Sequence, residues 1–133
     1  MKIVMVVNKT LPPGLAANAA AVLGISLGSM DADILGPDLI DKSGTRHPGI
    51  TRETIPVLAS DSDGLKAIYE QGIQIPDIAI IDFNSIAQKS RHYEDYSRQL
   101  EAVPTADLGF SGLCIKGPSK KVNRLTGSLG LYR

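Results

Sequence analysis

Few residues in this chain combine reactive chemistry with a favourable sequence setting. The two histidines, His47 in "GTRHPGIT" and His92 in "KSRHYED", have no cysteine or second histidine at ligand spacing, so no metal site is predicted. His92 falls on the charged side of a predicted helix, which indicates a solvated side chain. His47 stands between two glycines in a long connection, so we predict it as a binding residue whose imidazole reaches a pocket.

The segment "GFSG" places Ser111 in a setting that partly matches a nucleophile elbow. Its second glycine comes one position too early, because Gly112 directly follows the serine. A strand serine with a hydrogen-bonded hydroxyl is therefore favoured over a nucleophile, and we predict a binding role for Ser111. The chain also lacks the glycine-rich fingerprints of dinucleotide and phosphate-loop proteins, so no cofactor is predicted.

One calcium-like pattern and one basic cluster remain. In "DADILG", Asp31 and Asp33 match the first two ligands of a calcium loop, but Leu35 and Lys42 stand at later ligand positions, which excludes a standard calcium loop.

The last predicted strand and helix carry the only local excess of positive charge. A solvated surface is typical of such a cluster, and contact with phosphate or nucleic acid is the alternative. Its members are Lys116, Lys120, Lys121, Arg124 and Arg133.

Composition is that of an ordinary globular domain. The chain has 133 residues, 43% hydrophobic and 21% charged, which predicts one domain over residues 1–133. Fourteen basic residues balance fourteen acidic ones, so the net charge does not favour tRNA as a partner. The opening apolar run, 3–7, is too short for export or a membrane span. A single cysteine, Cys114, in the apolar run "LCI" indicates a small buried residue and a cytoplasmic location.

Apolar runs alternate with helical patterns along the chain. Strands are predicted at "KIVMVV", "TIPVLA", "DIAIIDF" and "FSGLCIKG", and helices at 13–28, 60–72, 85–103 and 118–125. We expect Ser60 and Asp63 to form a capping box, and Glu94 to pair with Arg98. The stretch 31–54 is a long, partly ordered connection. This alternation predicts an α/β layer architecture with a mostly parallel sheet.

Both ends of the chain resemble the type 2 peptidyl-tRNA hydrolases. The closing "IKGPSKKVNRLTGSLGLYR" is similar to that family's last strand, short helix and terminus, and "KIVMVVNKTLPPGLAANAA" is similar to its first strand and helix start. The intervening "VLASDSDGLKAIYEQGIQIPDIAII" matches more loosely. The resemblance implies a three-layer α/β/α domain with a four-stranded mixed sheet. The chain resembles still more closely a bacterial domain family of unknown function that shares this fold.

The chain departs from the hydrolase pattern at the positions of that family's catalytic residues. In register with the family's helix start, Gly14 stands where the lysine would be and Asn18 where the glutamine would be. The family's second catalytic segment has only "DLGFSG" as a counterpart, in which Asp107 and Gly109 align. The resemblance thus implies Asp107 as a base and Asn18 as its catalytic partner, with Ser111 as a substitute for the family's threonine.

Three functions remain open at this point: a binding or regulatory domain, an enzyme of altered specificity, and a peptidyl-tRNA hydrolase. We predict one concave site at the ends of the first and last strands, lined by Asn8, Gly14, Asn18 and Asp107, with His47 and Ser111 joining it. A small polar or anionic ligand is expected there. The Ala-rich, nearly neutral chain also predicts a homodimer.

Overall fold

A computed structural model describes the whole chain, residues 1–133, as one α/β unit. The strands are β1 Lys2–Asn8, β2 Leu39–Ile40, β3 Arg46–His47, β4 Val57–Ser60, β5 Ala79–Asn84 and β6 Phe110–Gly117. The helices are α1 Pro13–Met30, α2 Ser62–Gly72, α3 Ser85–Lys89, α4 Tyr93–Glu101 and α5 Ser119–Thr126. The four longest strands form one sheet in the order β4-β1-β6-β5.

The sheet is mixed, and its two central strands are buried on both faces. Strands β1 and β4 run parallel, with Met5 opposite Val57, whereas β6 runs antiparallel to both β1 and β5. The expected mixed sheet is confirmed, and the expectation of a mostly parallel sheet is wrong. The reason lies between β5 and β6: a pair of short helices returns the chain to the end of the sheet that it has just left, so β6 must start there.

That pair of helices replaces the single predicted helix over 85–103. Helix α3 ends at Lys89, where the Ser90 hydroxyl donates to the Ile86 carbonyl at 2.7 Å. Such a bond from a serine to the carbonyl four residues earlier competes with the helical ladder. The expected Glu94–Arg98 pair is also wrong, because Arg98 bonds Asp95 instead.

Helix α2 begins one residue later than the predicted capping box requires. Ser60 is the last residue of β4, and the side chain of Asp61 accepts the Gly64 amide at 2.8 Å. Asp61 is therefore the residue that caps α2. The helix packs against β6 through Leu65 and Ile68.

Two apolar cores, one on each face of the sheet, make the domain three-layered. Helices α2 and α5 cover the face that includes Val4, Val6 and Ile115. Helix α1 covers the other face, where Met5, Val7 and Cys114 lie. The expected α/β/α layering is confirmed.

Helix α1 lies close to the sheet because small residues meet at the contact. Its buried side chains are Ala16, Ala19, Leu23 and Leu27, a spacing that lines one helix face. Beneath them, a Cβ at Gly112 of β6 would lie 3.1 Å from the Leu23 side chain. No charged residue occurs in α1. By length and composition it is the one helix that could cross a membrane, but core helices of soluble domains also meet these two criteria. One face of α1 packs on the sheet, and 22% of its residues are buried.

The predicted long connection contains a projecting hairpin. After a turn of 3₁₀ helix at Ala32–Ile34, strands β2 and β3 pair with each other alone, and nearly every residue from 37 to 48 is exposed. Gly44 makes the turn with a φ of +87°, a conformation that glycine adopts without strain.

The last residues of the chain line the outer edge of β4. The Ala59 amide donates to the Gly130 carbonyl at 3.0 Å, and the Tyr132 amide donates to the Val57 carbonyl at 2.8 Å. Leu131 forms an antiparallel bridge with Leu58. The C-terminus thus covers backbone groups that an edge strand would otherwise leave open.

Candidate ligand cavity beside helix α1

Helix α1 is too narrow to cover its face of the sheet. The outer axes of four adjacent strands lie about 14 Å apart, whereas a helix with its side chains measures about 10 Å across. The main contacts of α1 are with β1, β5 and β6, so the surface over β4 lacks a helix.

A cavity of about 560 Å³ occupies that uncovered strip and is called here the β4-side cavity. Its floor is apolar, formed by Val7 of β1 and Val57 of β4. One wall is the thin alanine flank of α1, and the opposite wall includes Tyr132 of the C-terminal segment. The cavity is of the size that small-molecule sites commonly have.

Two cations lie at this cavity, and neither forms a salt bridge with an aspartate or glutamate side chain. Lys9 directly follows β1, and Arg133 ends the chain; both are exposed and neither takes part in a salt bridge. The first turn of α1 carries no acidic residue, and its first intrahelical bond runs from the Ala16 amide to the Pro12 carbonyl. The helix end therefore adds a positive partial charge near the two cations.

The structure does not bring the predicted site residues into one cavity. Gly14 and Asn18 lie exposed on the outer surface of α1. Asp107 is exposed in the 3₁₀ turn Thr105–Asp107, beside Leu108, which packs on the α2 face. None of the cavities is lined by Asp107, so it shares no cavity with α1.

Asn8 lies at the predicted strand end, but its side chain makes all its hydrogen bonds to protein groups. Its amide nitrogen donates to the Ser62 hydroxyl at 3.0 Å and to the Phe110 carbonyl at 3.2 Å. Its amide oxygen accepts the backbone and hydroxyl of Thr10 at 3.0 and 2.7 Å. With 6% of its surface exposed, Asn8 joins three chain segments and leaves no group for a ligand.

Ser111 is a buried, hydrogen-bonded strand serine beneath α1. Its hydroxyl donates to the Gln88 side chain at 2.7 Å, and Gln88 in turn donates to the Leu15 carbonyl at 3.1 Å. This chain of bonds ties β6 and α3 to the start of α1.

His47 lies in the exposed hairpin, away from the predicted strand ends. That hairpin follows the carboxyl end of α1, and the helix is about 27 Å long, whereas Gly14 lies in its first turn. His47 bonds Asp41 at 2.8 Å, and this bond is the main reason that the pKa of Asp41 is lowered. No cavity contains both His47 and the start of α1.

The predicted basic cluster is divided between the two faces of the sheet. Lys116 bonds Asp31 beside α1, and Arg133 lies at the β4-side cavity, whereas the other three cations belong to α5 on the opposite face. Lys121 pairs with Asp77 at 3.0 Å, which leaves Lys120 and Arg124 without a carboxylate partner. The cluster is broken up because alternate residues of β6 point to opposite faces.

A family model of proteins of unknown function, DUF2000, matches residues 1–133. The chain belongs to the DUF2000 family. A solved structure from Agrobacterium tumefaciens strain C58, also a protein of unknown function, is similar in fold, with a TM-score of 0.89 at 18% identity. The match covers 99% of this chain and 97% of that one. No curated protein sequence matches the chain.

The cavity residues of this DUF2000 chain come from places that sequence patterns do not connect. Lys9 and Arg133 lie at opposite ends of the chain, and they meet because residues 130–132 pair with β4. The sequence offers only two signals for this cavity: Lys9 directly follows the first strand, and Arg133 directly follows "LGLY".

Cys114 lies in the core of the DUF2000 domain, as the apolar run predicts. Burial raises its pKa from 9.0 to about 11, and nearby Lys116 opposes part of that shift. The thiol is therefore protonated at neutral pH and is a poor nucleophile.

The raised pKa of Cys114 predicts a loss of stability at high pH. From about pH 9 to pH 11 the unfolded chain releases the thiol proton while the folded chain retains it, so the free energy of unfolding falls as pH rises. Urea unfolding at pH 8 and pH 11 measures this effect. Between the two pH values, we expect the free energy of unfolding to fall by about 2 kcal/mol more in the native chain than in Cys114→Ala. Equal losses would show that the thiol is not the cause, because the thiol is the titratable group that the substitution removes.

Proposed function

We propose that this DUF2000 domain binds a small anion with an apolar body in the β4-side cavity. The observation that carries the proposal is the combination of an apolar floor with two unpaired cations, Lys9 and Arg133, at one cavity. A carboxylate, sulfonate or phosphate would contact these cations and the amino end of α1.

The apolar part of the ligand would pack on surface that the fold leaves without a helix. Val7 and Val57 form the floor, and removal of such surface from water contributes about 25 cal/mol for each Å² buried. The charged head alone would bind weakly, because both cations are exposed and screened by solvent. Apolar contact therefore supplies most of the affinity, and charge supplies selectivity for anions.

We also propose that the domain is a distant relative of the type 2 peptidyl-tRNA hydrolases that works by binding. The matching ends of the sequence and the four-stranded mixed sheet support the kinship. Binding is favoured over catalysis because neither Asp107 nor Asn18 lines a cavity, and both are exposed. Hydrolysis of an acyl ester by a rearranged site is the alternative, and a cytoplasmic location is consistent with the buried thiol.

The cavity predicts binding of 8-anilinonaphthalene-1-sulfonate, an apolar anion whose fluorescence rises in dry surroundings. We expect Lys9→Ala combined with Arg133→Ala to raise its Kd about tenfold, which corresponds to about 1.4 kcal/mol. Ala20→Leu, which fills the cavity wall, should abolish the signal. Fluorescence titration measures both effects.

The matched control for this titration is Lys120→Ala with Arg124→Ala, which removes two unpaired cations from α5. That variant should bind the dye as the native chain does. Equal weakening by both double variants would indicate nonspecific attraction, and unchanged binding in Ala20→Leu would place the dye elsewhere.

Hydrolysis of peptidyl-tRNA tests the alternative directly. Without the family's lysine, and with Asn18 a methylene shorter than glutamine, we expect turnover 10²-fold or more below that of a type 2 enzyme, about the loss that one missing oxyanion donor causes. Release of labelled peptide from peptidyl-tRNA is the measurement. Robust turnover that Asp107→Ala abolishes would make the protein an enzyme and overturn the binding proposal.

A homodimer is proposed through the outer face of α1. Ile25 is 76% exposed and Leu15 is 44% exposed on a helix without charge, so a second α1 is a chemically matched partner. The exposed Ala21 lies one turn before Ile25 on this face and allows close approach of a second helix. The same lack of charge disfavours a polar or charged protein partner.

Sedimentation equilibrium checks the dimer against the chain mass of 14.1 kDa. We expect a mass of twice that value, and a monomer for Ile25→Lys. The control is Ile73→Lys, which should remain a dimer. Ile73 directly follows α2 and is 53% exposed. A monomeric native chain would contradict the proposal, as would dissociation by both substitutions.

A further inference from the structure

A second cavity spans the free edge of β5, between α1 and the start of α4, and is called here the β5-side cavity. Its volume is about 360 Å³, and its lining comes from α1, β5, α3 and the start of α4. Val22, Phe83 and Ala87 form its apolar part. Asp82, Arg91 and Tyr96 are its principal polar groups.

A buried amide fixes two of these polar groups. Asn84 is 1% exposed, and its nitrogen donates to the Asp82 carboxylate at 3.2 Å and to the Tyr96 hydroxyl at 3.1 Å. Its oxygen accepts the Ala87 amide at 2.9 Å and caps α3. Because every hydrogen-bonding group of Asn84 is used, Asp82 and Tyr96 are held in one arrangement without a ligand.

The charged groups of the β5-side cavity remain available to a ligand. Asp82 and Arg91 take part in no salt bridge, although one carries a carboxylate and the other a guanidinium. The Tyr96 oxygen accepts from Asn84, so its own hydrogen is free to donate. The cavity thus offers a fixed acceptor, a flexible cation and an apolar surface.

We propose that the β5-side cavity binds a small zwitterion of the α-amino acid type with an apolar side chain. The ligand ammonium donates to Asp82, its carboxylate contacts Arg91, and its side chain packs on Phe83 and Ala87. Asn84 acts as a positioning residue through Asp82 and Tyr96. This site is separate from the β4-side cavity, and neither proposal depends on the other.

Three related probes separate the contributions of the two charges. The probes are titrated by isothermal titration calorimetry. L-Phenylalanine carries both charges, phenethylamine carries the ammonium alone, and 3-phenylpropanoate carries the carboxylate alone. We expect L-phenylalanine to bind more tightly than either analogue. Tighter or equal binding of an analogue would overturn the zwitterion assignment.

Two conservative variants then assign each charge to a residue. Asp82→Asn should weaken L-phenylalanine and phenethylamine at least tenfold and leave 3-phenylpropanoate unchanged. Arg91→Gln should weaken L-phenylalanine and 3-phenylpropanoate and leave phenethylamine unchanged. Because Asp82 receives a bond from Asn84, circular dichroism and thermal unfolding verify that Asp82→Asn folds.

The controls are Asp63→Asn and Arg124→Gln, which remove the same charges from exposed positions on α2 and α5. Both should bind L-phenylalanine as the native chain does, and so should the Lys9→Ala, Arg133→Ala double variant. Absence of binding in the native chain, or equal weakening by the cavity and control variants, would overturn the proposal.

Discussion

One helix has to cover one whole face of a four-stranded sheet, and its width is insufficient. Helix α1 lies over the central strands and leaves apolar surface on both sides. The β4-side cavity lies on the strip that α1 does not contact, the β5-side cavity lies beyond α1 at the free edge of β5, and a smaller cavity lies beside the carboxyl end of α1. The opposite face has α2 and α5 and is closed by their side chains. The position of α1 therefore shapes three cavities on this face of the sheet.

Buried amides at strand ends serve two purposes in this fold. Asn8 directs all its hydrogen bonds to protein groups and joins β1 to α2 and β6. Asn84 caps α3 with its oxygen and directs its nitrogen to Asp82 and Tyr96, which line a cavity. A buried amide with unmet bonds would destabilise the fold. The same requirement that stabilises the two strand ends also arranges polar groups for a ligand at one of them.

The elements with strong local signals could be predicted from the sequence. Strands β1 and β6 are continuous apolar runs because both faces are buried, and α1 follows two prolines with an alanine-rich stretch. The direction of β6 could not be predicted from periodicity, because two short helices return the chain to the end of the sheet where β5 finishes, and Phe110 pairs with Asn84. The candidate cavities depend on tertiary packing, which brings Lys9 to Arg133 and Asp82 to Arg91 without any shared motif.

The order of strands in the sheet has a kinetic consequence. Strand β1 is the first to be synthesised and forms the centre of the sheet, yet its partner β6 comes near the end of the chain, with Met5 opposite Cys114. Formation of this pair closes a very long loop, and contacts so distant in sequence slow folding. During synthesis the run "IVMVV" remains exposed and able to pair with other chains. A chain terminated before β6 would leave this strand without its central partner, so aggregation is the expected fate of truncated products.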